Sequence, residues 1–338
     1  MNQAITLLPN NWSNIPQLKL SPFYHSVDQT EVEVLTSVQK ALIRMEQDSF
    51  NTFTDKKQTK LSSECIAFFN LLPSIAQLRL SIDQSLELNH YIQVIFEEVS
   101  NPVHQQFLCG NYMFLGHLRQ TRYGSHEYFL NTVTRIKFAL TYNKCALRLV
   151  KRVTPIREQT NQQKKYFSQL LNKNQELACY QLELPLWTYP TLLSTEPVSS
   201  NEKNAIKALK VYLRNIHAAP VFHQKLCDIQ WRVIKSIHGK ITGQILVYLV
   251  KTEEDYQTYL KTLWVDMAKV ELLNSSFYPE PSITSLNCYM GNGLALKEWK
   301  KKLDLLHTHL EFYSYKANGI CFDWKSYTGN FYQSKLKE

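Results

Sequence analysis

The stretch KLCDIQWRVIKSI (225–237), HGK (238–240) and ITGQILVYLVK (241–251) decides the fold. Its first part sets Ile229, Trp231 and Val233 on one side of an extended chain, a period of two. His238-Gly239-Lys240 makes a short reversal, and the return segment is nearly all apolar or β-branched. Together they predict a β-hairpin.

Working outward, QELACYQLELPLW (175–187) has the alternation of a half-buried strand, closed by Pro185 and Pro190. NEKNAIKALKVYLRNI (201–216) is a helical spacer between that strand and the hairpin. TEEDYQTYLKTLWVDMAKVELL (252–273) reads as helix, with Thr252 and Asp255 in an N-terminal capping arrangement. SITSLNCYM (282–290) reads as strand, LALKEWKKKLDLLHTHLEFYSYK (294–316) as one long helix, and GICFDWKSY (319–327) as a final short strand. This mixed order predicts an α+β domain over 174–338, with a mainly antiparallel sheet packed with helices.

Residues 31–173 predict a helical domain. Val32, Val34, Leu35, Val38, Leu42 and Ile43 recur largely at spacings of three and four. LSSECIAFFNLLPSIAQLRLSI (61–82) follows, broken near Pro73, and ELNHYIQVIFEEV (87–99) ends before Asn101-Pro102. HEYFLNTVTRIKFAL (126–140) follows a turn at Gly124, and 144–173 is polar and basic with Pro155 as a helix start or kink. Residues 1–30, with Pro9, Pro16 and Pro22, read as an irregular lead-in.

With 44% hydrophobic and 20% charged residues among 338, a sizeable core is possible and wholesale disorder is excluded. The net charge of +9 favours polyanion partners. No apolar run is long enough to span a membrane, and MNQAITLLPNNWSN lacks the features of a secretory signal, so the expected location is cytoplasmic. The seven cysteines are scattered, odd in number and never in a C-x-x-C pair, which reads as thiols in a reducing compartment. His307 and His309 diverge by about 200° on the expected helix, so they read as polar-face or core-edge residues rather than a metal pair. Gly291 and Gly293 lack phosphate-loop spacing and read as a turn feeding a helix. No G-x-S-x-G, H-E-x-x-H or EF-hand pattern occurs.

The charge is concentrated. Arg135, Lys137, Lys144, Arg148, Lys151, Arg152, Arg157, Lys164 and Lys165 face a single acid, Glu158, within 135–165, with Tyr142 inside and Tyr166 at the border. Helices that merely face solvent usually mix signs for i,i+4 pairing. The imbalance therefore points to a nucleic-acid contact surface, against the plainer reading of a solvated basic face. Lys297, Lys300, Lys301 and Lys302 form a smaller cluster, consistent with a groove tracking a strand.

The order of these features resembles the replication-initiation proteins of filamentous phages (inoviruses) and their prophage relatives. FLNTVTRIKFAL leads into the basic stretch and then KKYFSQLLNKNQELACYQLEL. The family's Arg-Val-Asp-Leu strand matches Gln181, Leu182, Glu183 and Leu184, with Trp187 or Tyr189 as the following aromatic. Trp231 and HGKITG hold the places of its Trp strand and its Gly-His-x-His strand, and Tyr313-Ser314-Tyr315-Lys316 matches its helical Tyr-x-x-Lys. The resemblance covers roughly 125–338. It implies a fold like that of HUH endonucleases, in which two histidines on one strand hold Mg²⁺ or Mn²⁺ and a tyrosine attacks the scissile phosphate. By that resemblance Tyr313 would be the nucleophile, Lys316 its charge partner, DNA (chiefly single-stranded) the substrate, and host replication proteins further partners.

The departures are substantial. The metal histidines would fall at Ile245 and Val247, the Glu of the Trp strand at Ile234, and the Arg and Asp of the earlier strand at Gln181 and Glu183. Glu183 and His238, with Glu311, are the side chains left to rebuild a metal site. The expected function is thus a DNA-binding, replication-initiator-like protein of a mobile element or prophage, nicking and joining DNA through Tyr313. The alternative is a non-catalytic DNA-binding regulator or adaptor that has lost the metal-dependent site. A third class is a protein-interaction role, in which the basic stretch docks an acidic partner.

Overall fold

The computed structural model describes residues 29–55, 60–102, 104, 124–186, 198–250, 254–271, 280–315 and 324–327. The chain divides into two units, and the division falls between Ile156 and Arg157, not at 173/174 as expected from the sequence. The first unit takes back His309–Tyr313 after the second has been built. Of the irregular lead-in expected over 1–30, residues 1–28 lie outside the described residues, and Gln29 and Thr30 already belong to the first helix.

The first unit is helical. Helix α1 (Gln29–Glu46) buries Val32, Leu35, Val38, Leu42 and Met45, a stripe at spacings of three and four. Helix α2 (Ser63–Ser81) starts where the Ser62 hydroxyl accepts the Cys65 N–H at 2.9 Å. It runs through Pro73 rather than breaking there, because Phe68, Phe69 and Leu72 before it and Ile75 and Leu78 after it are all buried. Strand β1 (Leu86–Leu88) leads to Asn89, which caps α3 (His90–Val99) by accepting the Ile92 N–H at 2.9 Å. Helix α4 (Gly124–Tyr142) buries Phe129, Val133, Ile136 and Leu140; its Phe129 ring meets Phe69 edge-on at 4.5 Å. Helix α5 (Cys145–Asn174) passes through Pro155 and crosses the division between the units.

The second unit is built on the expected hairpin. Strands β2 (Glu176–Pro185), β3 (Leu226–Lys235), β4 (Ile241–Val250), β5 (Ser282–Tyr289) and β7 (Lys325–Ser326) form one antiparallel sheet in the order β5-β2-β4-β3-β7. The β3–β4 turn closes through Gly239 at φ 83°, a left-handed conformation that glycine adopts without strain. Between β2 and β3 runs α6 (Val198–Ala218), and between β4 and β5 runs α7 (Gln257–Glu271). The α7 helix starts later than the sequence predicts: Asp255 accepts the Gln257 N–H at 3.1 Å, and Thr252 lies outside the described residues. The order β-α-β-β-α-β with the four main strands arranged as fourth, first, third, second is two interleaved βαβ units, the ferredoxin-like topology. The α+β class expected from the sequence is the class of the structure.

Each face of this sheet has its own covering. A Cβ at Gly243 would lie 3.0 Å from Leu209 of α6, so Gly243, Ile245, Val247 and Leu249 face α6. Leu177, Cys179, Leu246 and Tyr248 face the other way, packing with Phe167 and Leu171 of α5 and Trp299 and Leu303 of α8 (Gly293–His307). Asn292 caps α8 by accepting the Ala295 N–H at 3.1 Å, so Gly291 and Gly293 serve a turn feeding a helix. The helix does not reach residue 316. It ends at His307, tightens into a 3₁₀ turn over Thr308–Glu311, and gives way to a short strand, β6 (Tyr313–Tyr315). The alternately buried Tyr313 and Tyr315 have a period of two, which a helix cannot supply.

Candidate functional site

Helix geometry sorts the basic stretch into different duties. In the first unit, Arg135 Nη2 lies 2.7 Å from Glu98 Oε1, and Lys137 Nζ lies 3.0 Å from Asp48 Oδ1. Burial pushes the Glu98 carboxyl up, but hydrogen bonds from His104 and Arg135 outweigh it and hold it below its ordinary value. Arg152 donates from Nε to the Leu310 carbonyl at 2.9 Å and from Nη2 to the Glu87 carbonyl at 3.2 Å. These three cations are committed to the protein's own groups.

Lys144, Arg148 and Lys151 are not. All three are exposed, and none makes a side-chain hydrogen bond or ion pair among the described residues. Lys144 sits in the turn between α4 and α5 at φ 51°. Arg148 and Lys151, three residues apart, lie on one side of α5, and Lys144 stands immediately before the helix begins. Two residues before Lys144 stands Tyr142, 77% exposed and stacked on Phe138, itself 73% exposed; their rings are 6.2 Å apart and 16° from parallel. The sequence carried a signal for this pair. Phe138 and Tyr142 are four apart and both fall off the buried stripe of Phe129, Val133, Ile136 and Leu140.

The remaining cations of the stretch belong to the second unit. Arg157 and Lys165 are exposed, while Lys164 pairs with Asp304. In the smaller cluster, Lys302 is only 5% exposed, lying over the Trp299 ring and 3.7 Å from Glu298. It is a core residue whose ammonium is covered, not part of a charged groove.

The sheet face that packs on α5 and α8 is polar at one end. Glu183, Gln244 and Arg232 sit opposite one another on β2, β4 and β3. Gln244 Nε2 donates to Glu183 Oε1 at 3.1 Å, and Arg232 Nε donates to Gln244 Oε1 at 2.8 Å. The Arg232 guanidinium lies 4.7 Å from the Trp324 ring and donates from Nη2 to the Leu306 carbonyl. Burial raises the Glu183 carboxyl to about 7, with the Gln244 hydrogen bond and the Arg232 charge acting against it. Beside this row, Gln163 Nε2 donates to Gln230 Oε1 at 3.4 Å, and His307 Nε2 meets Gln163 Oε1 at 2.8 Å. His307 and His309, 2% and 4% exposed, are thus core groups, not polar-face residues.

These positions do not fit a Mg²⁺ or Mn²⁺ site. Ile245 and Val247, where the metal histidines would fall, are fully buried on the α6 side of the sheet. Glu183 is on the opposite face, engaged by Gln244, and His238 is in the β3–β4 turn with its N–H on Ser236 Oγ at 3.2 Å. Among the described residues no group of three or more His, Cys, Asp and Glu side chains is placed to hold a metal ion. Tyr313 is 2% exposed and belongs to the first unit, its ring 5.7 Å from that of His309, whereas the hairpin belongs to the second. It stands on a strand rather than on the expected helix. Lys316 lies outside the described residues. Among the described residues no helix is long and apolar enough to cross a membrane. Comparison of the chain with protein-family models, with curated proteins and with solved structures gave no match.

Proposed function

We propose that this chain is a cytoplasmic DNA-binding protein of the replication-initiator-like kind, from a mobile element or prophage, that grips single-stranded DNA without cutting it. The observation that carries the reading is the set of exposed cations Lys144, Arg148 and Lys151, next in sequence to the exposed, stacked Phe138–Tyr142 pair. Cations with no internal partner neutralise backbone phosphates and release their counterions, and exposed aromatic faces stack on unpaired bases whatever their sequence. Binding is favoured over nicking because a nucleophilic tyrosine must reach a phosphate, and Tyr313 is buried.

The test is fluorescence anisotropy of a labelled fifteen-nucleotide single strand over a range of salt. Three phosphate contacts give a slope of log K against log salt of about −2, so affinity falls roughly 20-fold between 50 and 200 mM salt. Reversing Arg148 and Lys151 to Glu flattens the slope, and Phe138→Ala with Tyr142→Ala weakens binding at every salt concentration. Absence of binding in dilute buffer, or unaltered binding by the reversed variant, overturns the reading. So does a covalent protein–DNA adduct formed with Mn²⁺ and lost in Tyr313→Phe, which would restore the nicking alternative.

A further inference from the structure

The second unit contains a cleft of about 710 Å³ between α6 and the β3–β7 edge of the sheet. One wall is a single face of α6. Lys207, Lys210 and Arg214 succeed one another at spacings of three and four, so their side chains line the same side of the helix over about 10 Å. The facing wall is Lys325 and Tyr327, with Trp231 of β3 between. Lys325 Nζ lies 5.5 Å from the centre of the Trp231 ring.

Two features make this more than a basic surface. First, among the described residues four cations line the cleft and no carboxylate does. Lys210 and Arg214 are exposed and make no side-chain hydrogen bond or ion pair among the described residues. A concave wall of one sign concentrates its field, so an anion entering the cleft meets several cations at once. Second, an aromatic ring is held at the same mouth. The Tyr327 N–H donates to the Ile229 carbonyl at 2.8 Å, which ties that residue to the sheet edge. Its ring remains 37% exposed and lies 5.4 Å from the His217 ring. A volume of this size is in the range that accommodates a small organic ligand.

We infer that the α6–β7 cleft binds a nucleoside phosphate, its phosphate held by Lys210 and Arg214 and its base laid against Tyr327. The chemistry is the same whether the nucleotide is free or is one unit of a strand. The inference does not rest on the α5 surface, which belongs to the other unit and shares no residue with the cleft.

The experiment is isothermal titration calorimetry on the full chain with 5′-AMP, adenosine and a six-residue deoxyadenosine oligonucleotide. The oligonucleotide is titrated into the Arg148→Glu/Lys151→Glu background, so that the α5 surface does not contribute. AMP binding at least tenfold tighter than adenosine, weakened at least tenfold by Lys210→Glu/Arg214→Glu and weakened by Tyr327→Ala, supports a free nucleotide as ligand. Binding of the oligonucleotide alone, lost in the same variants, supports a nucleotide within a strand. Thermal unfolding checks that the variants fold; Lys210→Gln/Arg214→Gln replaces the reversed pair if that pair does not. Equal affinity for adenosine and AMP, unaltered binding after the cations are removed, or no heat with either phosphate-bearing probe overturns the inference.

Discussion

Replacing Glu183 by Gln is expected to stabilise the second unit at alkaline pH and to do little at acid pH. Glu183 is 8% exposed, and burial raises its carboxyl from 4.5 to about 7. Between those values the folded chain holds a proton that the unfolded chain has released. Stability therefore falls as pH rises through this window, and above it the charged carboxylate carries the full penalty. A shift of this size corresponds to about 3 kcal/mol, most of it expressed between pH 5 and pH 8.5. The substituted amide cannot ionise, and its oxygen still accepts the Gln244 N–H. The assay is urea unfolding followed by tryptophan fluorescence at both pH values. Trp231, Trp264, Trp299 and Trp324, four of the six tryptophans, are buried in the second unit, so the signal reports chiefly on it. The expected result is a stability gain for Glu183→Gln at pH 8.5 that exceeds its effect at pH 5 by about 2 to 3 kcal/mol. Parallel pH profiles for the two proteins would refute the reasoning, since they would mean that Glu183 ionises in the folded chain as it does in water.

Arg232→Met should destabilise the second unit by about 3 kcal/mol, because it leaves the Gln244 oxygen and the Leu306 carbonyl without their charged donor. The loss should grow with pH in the same urea assay, since the Arg232 charge opposes the rise of the Glu183 carboxyl. Gly243→Ala should cost about 1 kcal/mol and Gly243→Val about 3, as the new atoms press on Leu209 and Leu186, 3.0 and 3.3 Å from the added Cβ. Thermal unfolding measures both; a neutral valine variant would mean that α6 yields without cost.

The second-unit sheet was legible because each strand announces itself locally. The alternation of Ile229, Trp231 and Val233 and the turn at Gly239 need no distant information. The site was much less legible. A basic stretch read along the chain looks like one feature, yet whether a lysine is free depends on residues far away. Asp48 engages Lys137 and Glu98 engages Arg135, and neither partner is near in sequence. Lys302 looks like its neighbours Lys300 and Lys301 until Trp299 covers it. Lys207, Lys210 and Arg214 were hidden for the opposite reason: their charges are spread through an amphipathic helix and meet a wall, β7, that comes more than a hundred residues later. Tyr313 was misplaced because the long apolar pattern of α8 continues smoothly past His307, where buried aromatics then alternate instead of recurring every third or fourth residue.

The return of His309–Tyr313 to the helical unit has a consequence for biosynthesis. The Asn89 N–H donates to the Phe312 carbonyl, the Asn89 amide to the Glu311 carbonyl, and Arg152 to the Leu310 carbonyl. Those acceptors leave the ribosome more than 150 residues after Arg152. Until then the nascent helical part has donors waiting for a seam that has not yet been made, while the ferredoxin-like sheet already has all four of its main strands. A message truncated just after codon 308 would therefore yield a second unit with its principal strands and a first unit missing its closing stitch.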